Sequence, residues 1–164
     1  MTFALLAGCA GYQIGNQTLY PAHIRTVYVP VFESDSYRPN LGERLTEAVI
    51  KQIELKTPYK VVETPTADSI LSGRLVGETK RILVESPTDE PRQIEVNFVV
   101  QVSWLDREGQ LLRQQGVIDL PSSLMQVEQS ATAVPEVGQS VATAHQAAID
   151  ALAVQIVSLM EAPW

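Results

Sequence analysis

The stretch from Ile94 to Trp104 constrains the fold more than any other part of this sequence. Its large apolar side chains fall at every second position, at Ile94, Val96, Phe98, Val100, Val102 and Trp104. The residues between them are mostly polar. A period of two places the apolar set on one face of a β-strand and the polar set on the other. The pattern predicts a half-buried antiparallel strand, and its apolar face needs a second layer to cover it.

Three earlier segments also carry the composition of strands. Ile24 to Val31 is rich in β-branched and aromatic residues, and Tyr59 to Val62 is a short extended piece. Ser69 to Val84 reads as a long strand, in which we expect Gly73 and Gly77 to lie at bends or bulges.

The strand after Trp104 is predicted from turn chemistry. Asp106 to Gly109 has the composition of a hairpin turn, so Gln110 to Ile118 is predicted to be the strand that returns along its neighbour. Pro121 to Pro135 is polar and rich in Ser, Gln and Ala, and we interpret it as a loop excursion.

Two segments have helical periodicity. Asn40 is the expected N-cap of the first helix, Glu43 is its expected capping partner, and Thr57-Pro58 closes the helix. The second helix is predicted from about Val137 to Met160, where Val141, Ala144, Ala148, Leu152, Ile156 and Leu159 form an apolar stripe.

These elements predict an α+β fold with the order β-α-β-β-β-α. We expect a two-layer sandwich in which two helices pack on one face of a mixed or antiparallel four-stranded sheet. The other face of the sheet is expected to stay comparatively polar or to be available to a partner. Residues 24–162 are predicted to form this single domain.

The N-terminus predicts a membrane anchor. Residues 1–8 are apolar and end in Ala7-Gly8, like the remnant of a signal peptide that is removed on maturation, and Cys9 follows as the expected lipidation site. Residues 9–23 would then be a lipidated tether. The alternative is a buried N-terminal strand with a core cysteine, but Gly8, Gly11 and Gly15 make a poor strand.

Charge and composition exclude several classes of protein. The formal net charge is −7, and an acidic surface repels the phosphate backbone of nucleic acids. No apolar run reaches the roughly 18 residues that a spanning helix requires. A single cysteine allows neither an internal disulfide nor a multi-cysteine zinc site.

No motif for catalysis, cofactor binding or metal binding stands out. His23 and His145 lie far apart in sequence, and neither has a carboxylate at metal-ligand spacing. The remaining candidates are binding groups on the strands: Arg74, Lys80, Arg81 and Arg92, which could meet anionic head groups along one sheet edge. The alternative is that they are ordinary solvated strand charges, because four carboxylates lie among them.

Several short motifs, taken in order, resemble those of the LPS-assembly lipoproteins, the LptE-like family. Leu6-Ala7-Gly8-Cys9 is similar to a lipobox, and Cys9-Ala10-Gly11-Tyr12 to the family's Cys-Gly-Tyr opening. The strand from Ile24 to Phe32, the helix around Leu45 to Val49 and the segment from Ala67 to Leu75 follow, the last resembling an Ala-Asp-x-x-Leu-x-Gly stretch.

The resemblance implies a lipid-anchored outer-membrane lipoprotein that faces the periplasm. It implies that the chain is a plug and assembly partner of a large β-barrel. It also implies that the chain binds lipopolysaccharide and has no catalytic residue. Arg74, Lys80, Arg81 and Arg92 match the family's lipid-contacting cations only loosely. Two other hypotheses remain open: an auxiliary lipoprotein of another envelope transport or secretion machine, and a periplasmic hydrolase with a histidine and an acid in one pocket.

Overall fold

The computed structural model describes residues 19–87, 91–112, 125–135 and 138–161. In this part of the chain there are six strands and two helices. In chain order they are β1 (Thr26–Tyr28), β2 (Glu33–Ser34), α1 (Leu41–Lys56), β3 (Lys60–Val62), β4 (Ser69–Glu85), β5 (Pro91–Asp106), β6 (Met125–Ala133) and α2 (Val141–Ser158).

The strands form one mixed sheet, in the order β3-β1-β4-β5-β6, and β2 also pairs with β4. β1 runs parallel to both β3 and β4, whereas β4, β5 and β6 are antiparallel neighbours. β2 is parallel to β4. The predicted α+β class and the mixed sheet are confirmed, although the sheet has six strands where four were expected.

The alternation in β5 settles which face of the sheet is covered. All six apolar residues from Ile94 to Trp104 are buried, and Phe98 and Trp104 are among the largest fully buried side chains. α1 and α2 pack against each other, α2 packs on β5 and β6, and α1 contacts β3. One continuous core joins these residues to both helices. The two helices therefore lie on the face that the sequence pattern predicted.

The ends of α1 agree with the sequence, but its N-terminal cap differs in its chemistry; α2 begins at Val141, four residues later than predicted, and ends at Ser158, two residues earlier. α1 begins after Asn40, as predicted, yet this residue has φ 64° and its side chain makes no capping hydrogen bond. The capping box with Glu43 is therefore absent, since a left-handed Asn40 turns its side chain away. α2 has a conventional cap, because the Ser140 side chain accepts a hydrogen bond from the Thr143 N–H.

The strand that pairs with the far side of β5 is not the predicted one. Of the predicted return strand, the structure describes Gln110 to Leu112, which form an isolated bridge between Leu105 and Leu111, and residues 113–118 lie outside the described part. The strand that pairs with β5 is β6, in the segment interpreted from the sequence as a loop. On its core side β6 has two alanines and Gln129 beside Met125 and Val127, and this mixture masked the alternation.

The two glycines of β4 play different roles. The register shifts between Leu75 and Gly77, so a bulge lies there, as predicted. Gly73 stays in register opposite Val102, so it is not a bulge. Its lack of a side chain admits the ring of Phe32, which a Cβ at this position would overlap.

Candidate functional site: the open sheet face and the β4–β5 hairpin

The sheet has two chemically different faces, because directly paired residues of neighbouring strands share a face. Leu71, Leu75 and Ile82 pair with Trp104, Val100 and Ile94, so they belong to the helix-covered face. Arg74 and Arg81 pair with Gln101 and Glu95, so they belong to the opposite face. Of the described helices, neither is recorded on this second face, which we call the open face.

Arg74 lies on the open face but is held by carboxylates. Its guanidinium donates to Asp35 at 2.7 Å, and Glu33 lies 3.8 Å away. The hydrogen bond that Arg74 donates to Asp35 raises the pKa of Arg74 above its ordinary value. Both acids belong to or follow β2, so this pair fastens β2 to β4. An anion could bind Arg74 only in competition with Asp35.

Arg81 lies farther along β4, in a polar groove of the open face. The groove is lined by Thr79, Arg81, Glu95, Asn97, Glu128, Gln129 and Ser130. The Asn97 amide donates to Glu128 at 2.6 Å across β5 and β6. Two carboxylates in one groove partly balance the Arg81 charge, so the groove is a site for a ligand with mixed polar groups more than for a bare anion.

Lys80 and Arg92 lie apart from the other two candidates. Lys80 pairs with Val96, so it belongs to the helix-covered side of the sheet, whereas Arg92 lies where the pairing of β4 with β5 shifts register. Arg74 and Arg81 are seven residues apart, which is about 20 Å along a strand. The structure thus spreads the predicted cations over two faces. The β4–β5 hairpin brings three of them to the same end, where β4 ends and β5 begins: Lys80, Arg81 and Arg92.

The hairpin extends beyond the helix layer. Every residue from Thr79 to Glu85 is exposed, and this run includes three consecutive apolar residues. Ile82, Leu83 and Val84 are 50%, 47% and 46% exposed. Exposed aliphatic side chains that cluster on a folded domain are typical of a surface that a protein or a membrane covers. The sequence predicted a strand as far as Val84, but periodicity could not show that the helices stop short of its end.

A buried polar cluster lies beneath α2, and it brings together a histidine and an acid, as the hydrolase hypothesis requires. His145 is 3% exposed, and its Nε2 atom lies 3.5 Å from Oε1 of Glu78. Arg38 pairs with the same carboxylate oxygen at 2.7 Å, and Ser36 donates to the other at 2.6 Å. Burial, and then the charge of Arg38, lower the pKa of His145, which favours the neutral form.

This cluster is not arranged for nucleophilic catalysis. Glu78 stands between Ser36 and His145, so the histidine cannot take the proton of the serine hydroxyl. The His145 ring packs edge-on against Phe98 in the core. His23 is exposed at the start of the domain, far from this cluster in sequence. The contacts of Ser36 and Arg38 with Glu78 instead hold the segment around Ser36 against β4.

The described residues contain no group of three or more His, Cys, Asp or Glu side chains that could hold a metal ion. No described helix has the length and apolar character needed to cross a bilayer.

The segment from Ala67 to Leu75 carries a structural network. The Asp68 carboxylate accepts hydrogen bonds from the backbone N–H groups of Arg25 and Thr26, both at 3.0 Å, and pairs with Arg107 at 3.1 Å. The Asp68 N–H donates to the Thr26 hydroxyl in return. The backbone donor of Arg25 contributes most to the lowered pKa of Asp68. Asp68 thus joins the start of β4 to β1.

The family model described as "Lipopolysaccharide-assembly", LptE, matches residues 24–160. This chain belongs to the LptE family. Membership makes it a lipoprotein of the cell envelope, in a non-catalytic family that takes part in lipopolysaccharide assembly. The resemblance expected from the short motifs is confirmed over residues 24–160. No curated protein gives a significant match to the sequence.

Solved structures show the same fold at low sequence identity. Lipoprotein B from Nitrosomonas europaea is 17% identical, with a TM-score of 0.54 over 89% of this LptE-family chain and 90% of that one. The PelC dodecamer from Paraburkholderia phytofirmans is 12% identical, with a TM-score of 0.52 over 93% and 96% of the two chains. At such identity these similarities concern the fold alone.

The family motifs acquire physical roles in this LptE-family structure. Asp68 joins two strands, and Gly73 makes room for Phe32 between β4 and α1. Cys9 and Tyr12 lie outside the described residues. The exposed apolar run at Ile82–Val84 is the feature that the motifs did not reveal. The sequence signal for it is three consecutive apolar residues, which break the alternation expected of a half-buried strand.

Proposed function

We propose that this chain is an outer-membrane lipoprotein that faces the periplasm and works by binding, without catalysis. It acts as plug and assembly partner of a β-barrel protein that delivers lipopolysaccharide to the outer leaflet. The observation that carries the proposal is the match of residues 24–160 to the lipopolysaccharide-assembly family. The open sheet face and the protruding hairpin supply surface for such a partner.

The proposed function includes a division of the chain into three parts. Residues 1–8 are a signal-peptide remnant that is removed, and Cys9 carries the lipid anchor. Residues 9–23 are the tether, and residues 24–162 are the domain that binds. The end of this tether joins the domain, because Tyr20 is buried and packs edge-on against Tyr59. The part before it separates the domain from the anchor.

We assign lipopolysaccharide phosphate contacts to the cations at the end of the hairpin. Lys80 and Arg81 are exposed and make no ion pair with any described residue. Arg92 is exposed near the same end, although it has an interaction of its own. Arg74 remains a candidate only if it leaves Asp35. The contact is local, because the chain as a whole has a net charge of −7.

Charge reversal tests this assignment. The double variant Lys80→Glu with Arg81→Glu is expected to bind lipopolysaccharide micelles at least tenfold more weakly than the wild type, because two attractive charges become repulsive. Lys51→Glu, in the exposed face of α1, is the matched control and is expected to bind normally. Equal affinity of the double variant and the control would remove Lys80 and Arg81 from the site.

Co-purification tests the function as a whole. The full-length chain, tagged at its C-terminus, is isolated from detergent-solubilised outer membranes, and the proteins recovered with it are identified by mass spectrometry. We expect one large outer-membrane β-barrel protein in stoichiometric amount. Recovery of the components of a different envelope machine would favour the auxiliary-subunit hypothesis, and recovery of no barrel would refute the proposal.

A further inference from the structure

The edge of β4 that faces away from β5 is paired with other described strands only in the first half of β4. β1 pairs with β4 at Ser69 and Ile70, and β2 pairs with it at Arg74 and Leu75. Beyond these positions, no described strand pairs with the edge of β4 that faces away from β5. In a strand, every second residue directs its N–H and C=O groups to this side. Among the described strands, backbone groups of the second half of β4 therefore have no partner on this side.

This open edge coincides with the exposed run described above. We call the residues from Thr79 to Glu85 the exposed β4 edge. Glu78, just before it, is covered by Ser36 and Arg38. The register with β5 is regular from Gly77 to Ile82, so the edge keeps strand geometry there, and it shifts only after Ile82. A regular strand edge with exposed apolar side chains is a template for strand addition.

We propose that the exposed β4 edge binds an extended segment of the partner protein, which adds to the sheet as a further strand. The inference rests on the proposed function for the identity of that partner, the outer-membrane β-barrel protein. The added segment carries apolar residues beside Ile82, Leu83 and Val84. It carries at least one acidic residue beside Lys80 or Arg81, since opposite charges on neighbouring strands stabilise pairing.

The charges on the edge favour a partner protein over a second copy of this chain. Between Thr79 and Glu85 there are two cations, Lys80 and Arg81, and one carboxylate. Antiparallel pairing of two copies within the regular part of the edge would bring four cations together, and like charges on facing strands are destabilising. An acidic segment of another protein meets no such repulsion.

The exposed apolar residues of β4 face both sides of the sheet, and this favours a strand over a membrane surface as their binding partner. Ile82 pairs with Ile94 and belongs to the helix-covered side. Neighbouring residues of a strand face opposite sides, so three consecutive apolar residues, Ile82 to Val84, cannot all face one side of the sheet. A bilayer would cover one side of a strand and leave the other wet. A neighbouring strand lies in the plane of the sheet, so its own side chains cover both sides together.

Hydrogen–deuterium exchange of the full-length chain tests the pairing directly. In the complex with the barrel protein, we expect amides within the Thr79–Glu85 run to exchange at least tenfold more slowly than in the free chain, with alternate residues protected. Unchanged exchange in a complex that does form would overturn the inference, while the proposed function would stand.

Two matched variants provide a second readout. Leu83→Asp puts a charge on the edge, and Leu55→Asp puts the same charge on α1, where Leu55 is 68% exposed. Both sites are exposed, so both variants should keep the wild-type circular dichroism. We expect recovery of the barrel protein to fall at least fivefold for Leu83→Asp and to stay unchanged for Leu55→Asp. Equal recovery would contradict the proposal.

A synthetic probe separates the edge from the identity of its partner. An eight-residue peptide of alternating valine and glutamate is expected to slow exchange at the exposed β4 edge, even if no barrel protein is recovered from membranes. The same peptide with a central proline should not. If neither peptide slows exchange and only vesicles of anionic phospholipid bind, without protecting the amides, the edge is a lipid contact and strand addition is refuted.

Discussion

At the scale of single residues, two small features decide how the strands meet. The charged carboxylate of Asp68 accepts hydrogen bonds from two backbone N–H groups, one just before β1 and one at its first residue, and such hydrogen bonds are stronger than neutral ones. Gly73 offers an empty position to the ring of Phe32, whose N–H in turn donates to the Thr46 hydroxyl on α1. Phe32 therefore links β4 to α1, and the sheet and first helix depend on a position without a side chain.

Gly73→Ala is expected to lower the free energy of unfolding by about 1–3 kcal/mol, because overpacking forces neighbouring groups to shift. The added Cβ would overlap the Phe32 ring. Gly77→Ala is the matched control, since its Cβ would meet Val99 at an ordinary 3.5 Å. Urea unfolding of both variants measures the difference. Similar values for the two would show that the Phe32 ring moves aside without cost.

The sequence predicted these residues only in part. The Asp68 and Gly73 positions were noticed through the family motif, but their partners, Arg25 and Phe32, come from β1 and the segment after it. Sequence spacing cannot show which backbone donors a carboxylate will meet across more than forty residues of chain. For the same reason Arg74 was indicated as a ligand contact, while its carboxylate partners belong to β2 and the residue after it.

At the scale of elements, the strength of the hydrophobic pattern decided what could be predicted. β5 is a central strand with large apolar residues on one side, so its alternation fixed both its type and its buried face. β6 also alternates, with Met125, Val127, Ala131 and Ala133 on the core side. Two of these are alanines, and Gln129, opposite the buried Phe98, interrupts the apolar row, so the signal was weak. The turn at Asp106 then misdirected the pairing to nearer residues.

The contact between α2 and β4 should make stability depend on pH. His145 is surrounded by Glu78 and Arg38, with Arg44 and Lys80 adding charge nearby, and its pKa lies below the ordinary value of 6.5. The folded chain therefore binds fewer protons than the unfolded chain. The stabilisation is complete above about pH 6.5 and is lost as the pH falls through the folded pKa.

His145→Leu is expected to flatten the fall in unfolding free energy between pH 7 and pH 5. One proton accounts for a slope of at most about 1.4 kcal/mol per pH unit. Denaturant unfolding at several pH values measures the slope. His23→Gln, at an exposed position, is the control and should keep the wild-type slope. If His145→Leu also keeps it, the dependence belongs to the carboxylates.

At the scale of the whole molecule, net charge and the two faces of the sheet indicate which parts of the chain fold the domain and which bind partners. The net charge of −7 opposes general attraction to an anionic membrane. In the proposed function, attachment therefore comes from a lipid anchor or from a partner, and lipopolysaccharide contact from a local set of cations. The helix-covered face provides the core, while the open face and the exposed β4 edge remain for partners. This division favours a protein that is held in place and assembled with others.

The anchor itself is tested at Cys9. When the gene is expressed at its natural locus, mass spectrometry of the mature protein should find Cys9 as the N-terminal residue with acyl chains on its thiol and amino groups. Several acyl chains give stable attachment, at about 0.8 kcal/mol for each buried methylene. Cys9→Ser has no thiol to acylate, so we expect an unprocessed precursor. The matched control Tyr12→Phe should be processed and acylated normally.

The same experiment separates anchoring from folding. Cys9 lies outside residues 24–160, which match the family, so Cys9→Ser should unfold at the same temperature as the wild type. It should also keep its affinity for lipopolysaccharide micelles, since the assigned cations are on the hairpin. A wild-type chain with a free thiol and an uncleaved N-terminus would refute the anchor. A Cys9→Ser chain that melts at a lower temperature would place the cysteine in the core, as the buried-strand alternative requires.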